Sequence, residues 1–435
     1  MTSHIVRDRF EACLARITDP LGEGARAFTR IYVDEARAAA DAADARARHG
    51  LSLGPLDGRI LSIKDLFDVR GEATAGGSTV YRNARPAGAD APVVARLRRA
   101  GAVITGKTNM TEFAFSGVGI NIHHGTPGNP ADRTRIPGGS SSGAAVACAD
   151  GMCDISIGSD TGGSVRIPAA FCGLVGFKPT QKRIPREGAM PLSLTLDSIG
   201  PLARSVEDAA HTDAILAGVT PRPLRPPAVS HLRLAVPQGR LFEALEAPVV
   251  QAFERALARF AKAGARIIDI DMEPHLKRLD AINALGSFSA VEAAWFHADV
   301  LKNQSEKIDP FVVRRILSGS KVSSPDYVRM CQERLLAVAL ANAEFERYDA
   351  LILPTIPIVT PKTAPLAQSL EAFTAANMLI LRNTTQFNLL DCCAISLPLP
   401  GAGALPVGLM LAAAHGHDAR LLDVAAAAET FLQGQ

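Results

Sequence analysis

Along this chain, runs with the apolar period of a helix alternate with short apolar runs of strand length. Residues 30–49, rich in Ala with Arg and Asp at helical spacing and stopped by Gly50, predict a surface helix. The run Arg59-Ile-Leu-Ser-Ile-Lys64 predicts a strand, followed by a helix over 90–100 and a second strand over 102–105. The rhythm resumes with strand 232–236, helix 247–263 and strand 266–270, and later strands are expected at 350–354, 394–398 and 407–411. Such alternation predicts an α/β fold: a large mixed, mostly parallel β-sheet covered by helices on both faces. No internal repeat is evident.

Other stretches depart from this rhythm. Residues 128–180 pack Gly, Ser, Pro and Thr into loops around the small-residue run Gly143-Ala-Ala-Val-Ala-Cys-Ala149, and functional groups concentrate in such loops. Pro221-Arg-Pro-Leu-Arg-Pro-Pro227 predicts a linker within 219–229. Cys392 to His417 carries no charged residue and is long enough to cross a bilayer. Prolines 398, 400 and 406 with glycines 401, 403 and 408 split it into strand, turn and strand, so it reads as buried sheet.

Composition narrows the function. A chain of 435 residues, 47% hydrophobic, can bury a large core. Its 46 basic and 44 acidic side chains nearly cancel, which gives no reason to expect nucleic acid or a membrane as partner. A small molecule fits better, and self-association stays open. The seven cysteines show no CxxC spacing and the adjacent pair Cys392–Cys393 cannot complete a zinc site, so neither metal nor cofactor is expected. They read as reduced thiols of a cytoplasmic protein, and the charges scattered through MTSHIVRDRFEACLAR argue against a secretory segment.

Gly101-Ala-Val-Ile-Thr-Gly106-Lys107-Thr108 matches the phosphate-loop pattern G-x-x-x-x-G-K-[ST], with Arg266-Ile-Ile-Asp269 as an imaginable metal-binding partner strand. A phosphate loop follows a strand and needs pliant backbone between its glycines. Here a helix over 93–100 precedes it, and Ala-Val-Ile-Thr are β-formers, so a helix-to-strand turn is the expected structure.

Two glycine–serine loops carry the candidate chemistry: Pro137-Gly-Gly-Ser140-Ser-Ser-Gly143 and Asp160-Thr-Gly-Gly-Ser164-Val-Arg166, their serines 24 positions apart. Either alone reads as a turn. Glycines 162 and 163 leave N–H groups uncovered before Ser164, as an oxyanion hole requires, which suits Ser164 to nucleophilic attack. No Gly-x-Ser-x-Gly elbow surrounds it and no histidine can be assigned as its base. Lys64 is the candidate base, because it ends an apolar strand where desolvation lowers an ammonium pKa. A snorkelling Lys64, or one paired with Asp65, is the structural alternative.

Five blocks in order resemble the amidase signature family: Ser62-Ile-Lys-Asp65, Gly106-Lys-Thr-Asn-Met-Thr-Glu-Phe-Ala114, Pro137–Gly143, Gly158-Ser-Asp-Thr-Gly-Gly-Ser-Val-Arg-Ile-Pro168 and Phe171-Cys-Gly-Leu-Val-Gly-Phe-Lys-Pro-Thr180. The resemblance implies Lys64 as base, Ser140 as a bridging serine held by a cis peptide, and Ser164 as the acylated nucleophile. On this reading the N–H groups of Thr161, Gly162, Gly163 and Ser164 hold the oxyanion, while Ser141, Asp160 and Arg166 contact substrate or support the loop. The implied protein is a single domain over 1–435, with its signature core at 55–205 and residues 230–435 completing sheet and pocket. Asp326-Tyr-Val-Arg329 and Leu389-Leu390 are candidates for the pocket lining. The implied reaction cleaves a small carboxamide to carboxylate and ammonia or amine through a serine acyl-enzyme. The alternatives are the ammonia-donating glutaminase subunit of an amidotransferase and a non-catalytic binding protein; intact triad positions disfavour the last.

Overall fold

The structure, a computed structural model, describes residues 5–399 and 405–434. Within them eleven strands form one sheet: β1 (Phe28–Ile31), β2 (Ile60–Lys64), β3 (Val103–Thr108), β4 (Ile155–Asp160), β5 (Val175–Lys178), β6 (Ser198–Ala203), β7 (Arg233–Gln238), β8 (Arg266–Asp271), β9 (Ala350–Pro354), β10 (Cys393–Pro398) and β11 (Gly408–Ala413). Their spatial order is β1-β3-β2-β4-β6-β5-β10-β11-β9-β7-β8, so both halves of the chain contribute to it. Residues 219–228, between the halves, carry no helix or strand. No helix among the described residues is long and apolar enough to cross a membrane.

The sheet is mixed and helix-covered as expected, but it is not mostly parallel: six of its ten pairings are antiparallel. Helical crossovers generate the parallel pairs β2–β3 and β7–β8, returning the chain to the same edge. Elsewhere the connections reverse direction. β5 and β6 are joined by residues 179–197 without a helix, and β10 and β11 pair as antiparallel neighbours in sequence. The turn expected from prolines and glycines at 400–403 lies outside the described residues.

Strand periodicity sorts side chains to the two faces. Ala350 and Ile352 of β9, with Leu409, Leu411 and Ala413 of β11, enter one core with Val206, Phe260 and Leu421 of the covering helices. The alternating Leu351, Leu353, Met410 and Ala412 enter a second core, under the helices Glu273–Leu285, Ser324–Phe345 and Leu370–Leu389. A third cluster sits under the N-terminal helices, where Phe10, Ile17 and Ala36 meet Ala144 to Cys148.

Several boundaries differ from expectation. The helix expected over 30–49 is Val33–Arg48, because residues 28–31 are taken as an antiparallel edge strand by β3. The strand expected over 102–105 runs on to Thr108 and absorbs Gly106, Lys107 and Thr108, so no phosphate loop exists there. Strands β4, β5 and β6 lie in or just after the segment read as loops.

The helix Ser142–Ala149 approaches the Gly24–Ala27 helix so closely that a Cβ at Gly143 would lie 2.2 Å from the Ala27 carbonyl oxygen and 2.7 Å from the Asn109 nitrogen. Both neighbours are backbone and cannot rotate away. Gly143→Ala is therefore expected to destabilise the protein by about 3 kcal/mol, at the upper end of overpacking costs, measured by urea unfolding. An unchanged midpoint would mean that the two helices are free to separate.

Candidate active site

Lys64 ends β2 and Ser159 and Asp160 end β4, a parallel neighbour, so the three residues reach the same edge of the sheet. Ser140 arrives on the loop before the helix Ser142–Ala149, and Ser164 on the turn between β4 and the helix Arg166–Cys172. The side chain of Lys64 is fully buried; its Nζ donates to Ser140 Oγ at 2.8 Å and to Ser159 Oγ at 2.9 Å. Burial lowers its pKa to about 7, against the pull of Asp197 and Asp160. Asp65 does not pair with it: that carboxylate accepts from Gly77 N–H and lies 3.9 Å from Lys107.

The Gly139–Ser140 peptide is cis. The Ser140 carbonyl accepts from Thr111 N–H at 3.0 Å, and Ser141 N–H donates to the Ser164 carbonyl at 3.3 Å, tying the two loops together. The Ser164 hydroxyl makes no hydrogen bond to the described residues and lines a cavity of about 440 Å³ with Thr161 and Gly162. Thus Lys64 and Ser140 are in direct contact, and the loop bearing Ser140 is hydrogen-bonded to the turn bearing Ser164.

Ser141, Asp160 and Arg166 are buried behind the cavity and do not line it. Asp160 accepts from Gly163 N–H at 2.8 Å and Val165 N–H at 3.2 Å, and from Arg166 Nε and Nη2 at 3.0 and 2.9 Å. Burial alone would raise the pKa of Asp160; the charge and hydrogen bonds of Arg166, with the Lys178 charge and the Asn388 amide, together outweigh it and hold the carboxyl well below the usual range. Arg166 donates to Asn388 Oδ1 at 2.6 Å, and Asn388 Nδ2 donates to Asp160 at 2.8 Å, so the C-terminal half braces the turn.

The four N–H groups assigned to the oxyanion divide. That of Gly163 donates to Asp160, whereas those of Thr161, Gly162 and Ser164 have no acceptor among the described residues. Gly163 has φ of 132°, and a Cβ there would lie 2.2 Å from Thr384 Oγ1, so only glycine lets the turn pass under the helix Leu370–Leu389.

Leu389 lines the cavity and Leu390 is core. Asp326-Tyr-Val-Arg329 does not line it; Tyr327 donates to Glu292 at 2.7 Å instead. Sequence reasoning missed Ser159, Asp197 and Arg315. Arg315, on the helix Pro310–Gly319, lines the cavity with its guanidinium 4.4 Å from the Phe115 ring centre and Nη1 donating to the Phe115 carbonyl at 2.7 Å. It forms no ion pair with the described residues, and burial draws its pKa down to about 10. No motif surrounds it; the adjacent Arg314 and the helical context read as solvated surface.

A family model described as Amidase matches residues 9–422. The chain is 38% identical over 407 residues to the 2-amino-5-chloromuconic acid deaminase of Comamonas testosteroni, covering 91% of this chain and 86% of that protein. It is 34% identical over 452 residues to a glutamyl-tRNA(Gln) amidotransferase subunit from Symbiobacterium thermophilum, covering 95% and 91%. A solved amidase structure superposes with a TM-score of 0.87 at 34% identity, covering 98% of this chain and 96% of the other.

Asp160→Asn would leave the Arg166 guanidinium buried without a counter-charge. The expected loss in unfolding free energy is about 3–5 kcal/mol, read from urea denaturation. A loss below about 1 kcal/mol would mean that Asn388 and the Thr384 carbonyl alone suffice to hold the arginine.

Proposed function

Because this chain belongs to the amidase signature family and hydrolyses amide C–N bonds, we propose that Ser164 attacks the amide, that Ser140 and Lys64 carry its proton, and that the substrate is a small amide bearing a carboxylate. Neutral Lys64 accepts a proton from Ser140, which takes one from Ser164 as that oxygen attacks the carbonyl carbon. The free Ser164 hydroxyl must turn towards Ser140 for this, a tightening that bound substrate commonly brings about. The relay returns the proton to the leaving nitrogen as the C–N bond breaks. Water then attacks the acyl-enzyme, gives a proton back through the same path and regenerates Ser164. The N–H groups of Thr161, Gly162 and Ser164 stabilise the oxyanion, each such donor typically supplying about 3–4 kcal/mol. The Gly163 N–H, held by Asp160, shapes the turn.

The substrate class rests on Arg315. Arg382, the other arginine of the cavity, donates to the carbonyls of Leu241 and Glu243 and to Asn383, and is thereby occupied. Arg315 keeps donors free towards the cavity, and a planar guanidinium suits a carboxylate. The Comamonas relative is named for an acid, in keeping with this. A cavity of about 440 Å³ suits a small molecule.

The second reading, an ammonia-donating glutaminase component of an amidotransferase, is supported by the relative from Symbiobacterium. Glutamine also carries a carboxylate beside its amide, so Arg315 serves either reading. Ammonia release from carboxylate-bearing and neutral amides, glutamine among them, separates the two: turnover of glutamine alone would favour the glutaminase. We place the protein in the cytoplasm, in keeping with its seven free cysteines.

Activity should rise with pH through about 7, because burial lowers the Lys64 pKa and the neutral amine is the active form. Ser164→Ala and Lys64→Ala should each lower kcat by about a thousandfold or more; near-normal turnover by Lys64→Ala would sink the relay. Arg315→Gln should raise KM for a carboxylate-bearing amide by roughly thirtyfold or more and spare a neutral one. Equal effects on both would remove the carboxylate assignment.

A further inference from the structure

The segment from Pro191 to Asp197 separates two cavities. Leu192 and Leu196 line the substrate cavity, whereas Pro191, Leu194 and Asp197 line a second one of about 410 Å³ that also reaches Ser159, the hydroxyl holding Lys64 Nζ. Asp197 spans the division. One carboxylate oxygen accepts from Thr161 Oγ1 at 2.6 Å, and the other accepts from Leu192 N–H and Ser193 N–H, each at 3.0 Å. Thr161 begins the oxyanion turn and Leu192 lines the same cavity, so this one side chain joins the two.

No cation lies within ion-pair distance of Asp197 among the described residues, and Arg186 acts on it only from further away. Asp160, the other anion acting on Lys64, is already paired with Arg166. Asp197 is therefore the less compensated of the two. Burial raises its own pKa to about 6, against the hydrogen bonds from Thr161, Ser193 and Leu192 that favour the carboxylate.

We propose that Asp197 is a positioning residue: it clamps the oxyanion turn at Thr161 to the substrate-cavity wall at Leu192 and Ser193, and its negative charge acts on Lys64. This rests on the reading of Lys64 as the base. The clamp keeps the Thr161 and Gly162 N–H groups aimed at the cavity without a water having to fill the gap. The charge keeps the buried lysine from becoming too weak a base to be effective.

Two variants separate clamp from charge. In Asp197→Asn the amide oxygen can accept from Leu192 and Ser193 while its NH2 donates to Thr161 Oγ1, so the clamp stays and the charge goes. In Thr161→Val the charge stays and the link goes. Ammonia release is measured against pH, with urea midpoints confirming folding. In Asp197→Asn the acidic limb of kcat/KM should move down by roughly half a pH unit or more, since loss of a nearby anion lowers the Lys64 pKa. In Thr161→Val kcat should fall about tenfold or more with the limb in place, and Thr161→Ser, which restores the hydroxyl, should recover it. A wild-type limb in Asp197→Asn together with wild-type kcat in Thr161→Val would overturn the proposal. Turnover by Lys64→Ala would overturn the base reading as well; an inactive Lys64→Ala beside unmoved variants would confine the failure to Asp197.

Discussion

The carboxylate of Asp160 is the point at which the site's separate pieces meet. It sits at the end of β4, receives the N–H groups of Gly163 and Val165, and pairs with the guanidinium of Arg166. Through Asn388 it also reaches the helix Leu370–Leu389. An unpaired charge buried this completely is costly, so the intact pair favours the observed shape of the turn bearing Ser164. The shape of that turn thus follows from satisfying one anion.

Lys64 shows the opposite solution to the same problem. It is buried as deeply as Asp160, yet its ammonium nitrogen meets only the hydroxyls of Ser140 and Ser159. With no carboxylate in contact, burial lowers its pKa to about 7, in keeping with the proposed role of a base. Lys107 on the neighbouring strand is also buried, but it lies near Asp65 and Glu72 at 3.9 and 3.5 Å, and so has the counter-charges that Lys64 lacks. Of these two lysines in adjacent strands, only Lys107 has carboxylates within 4 Å.

Strands made of apolar runs, such as β2 and β9, were legible because their side chains enter cores on both faces. The central strands β4, β5 and β6 were not, since Gly158, Gly176 and Gly200 within them look like loop signals. The glycines are there for space: a Cβ at Gly200 would lie 2.0 Å from the Phe177 carbonyl oxygen, and one at Gly176 would lie 2.6 Å from Ala169 Cβ. Lys64, Ser140 and Ser164 could be found because their motifs are local. Arg315 and Asp197 could not, because each gains its meaning from contacts with residues remote in sequence or from a cavity wall.

Most of the cavity wall comes from residues beyond 280, carried on helices that bear neither Lys64 nor either serine. The residues proposed to carry the proton, by contrast, all lie between 64 and 164, at the C-terminal end of β2 and on two loops tied to each other by a hydrogen bond. Replacements on the wall helices can therefore recut the shape and charge presented to a ligand while the reactive centre keeps its geometry. Selectivity and reactivity are in this way inherited from different stretches of the same chain and can diverge at different rates.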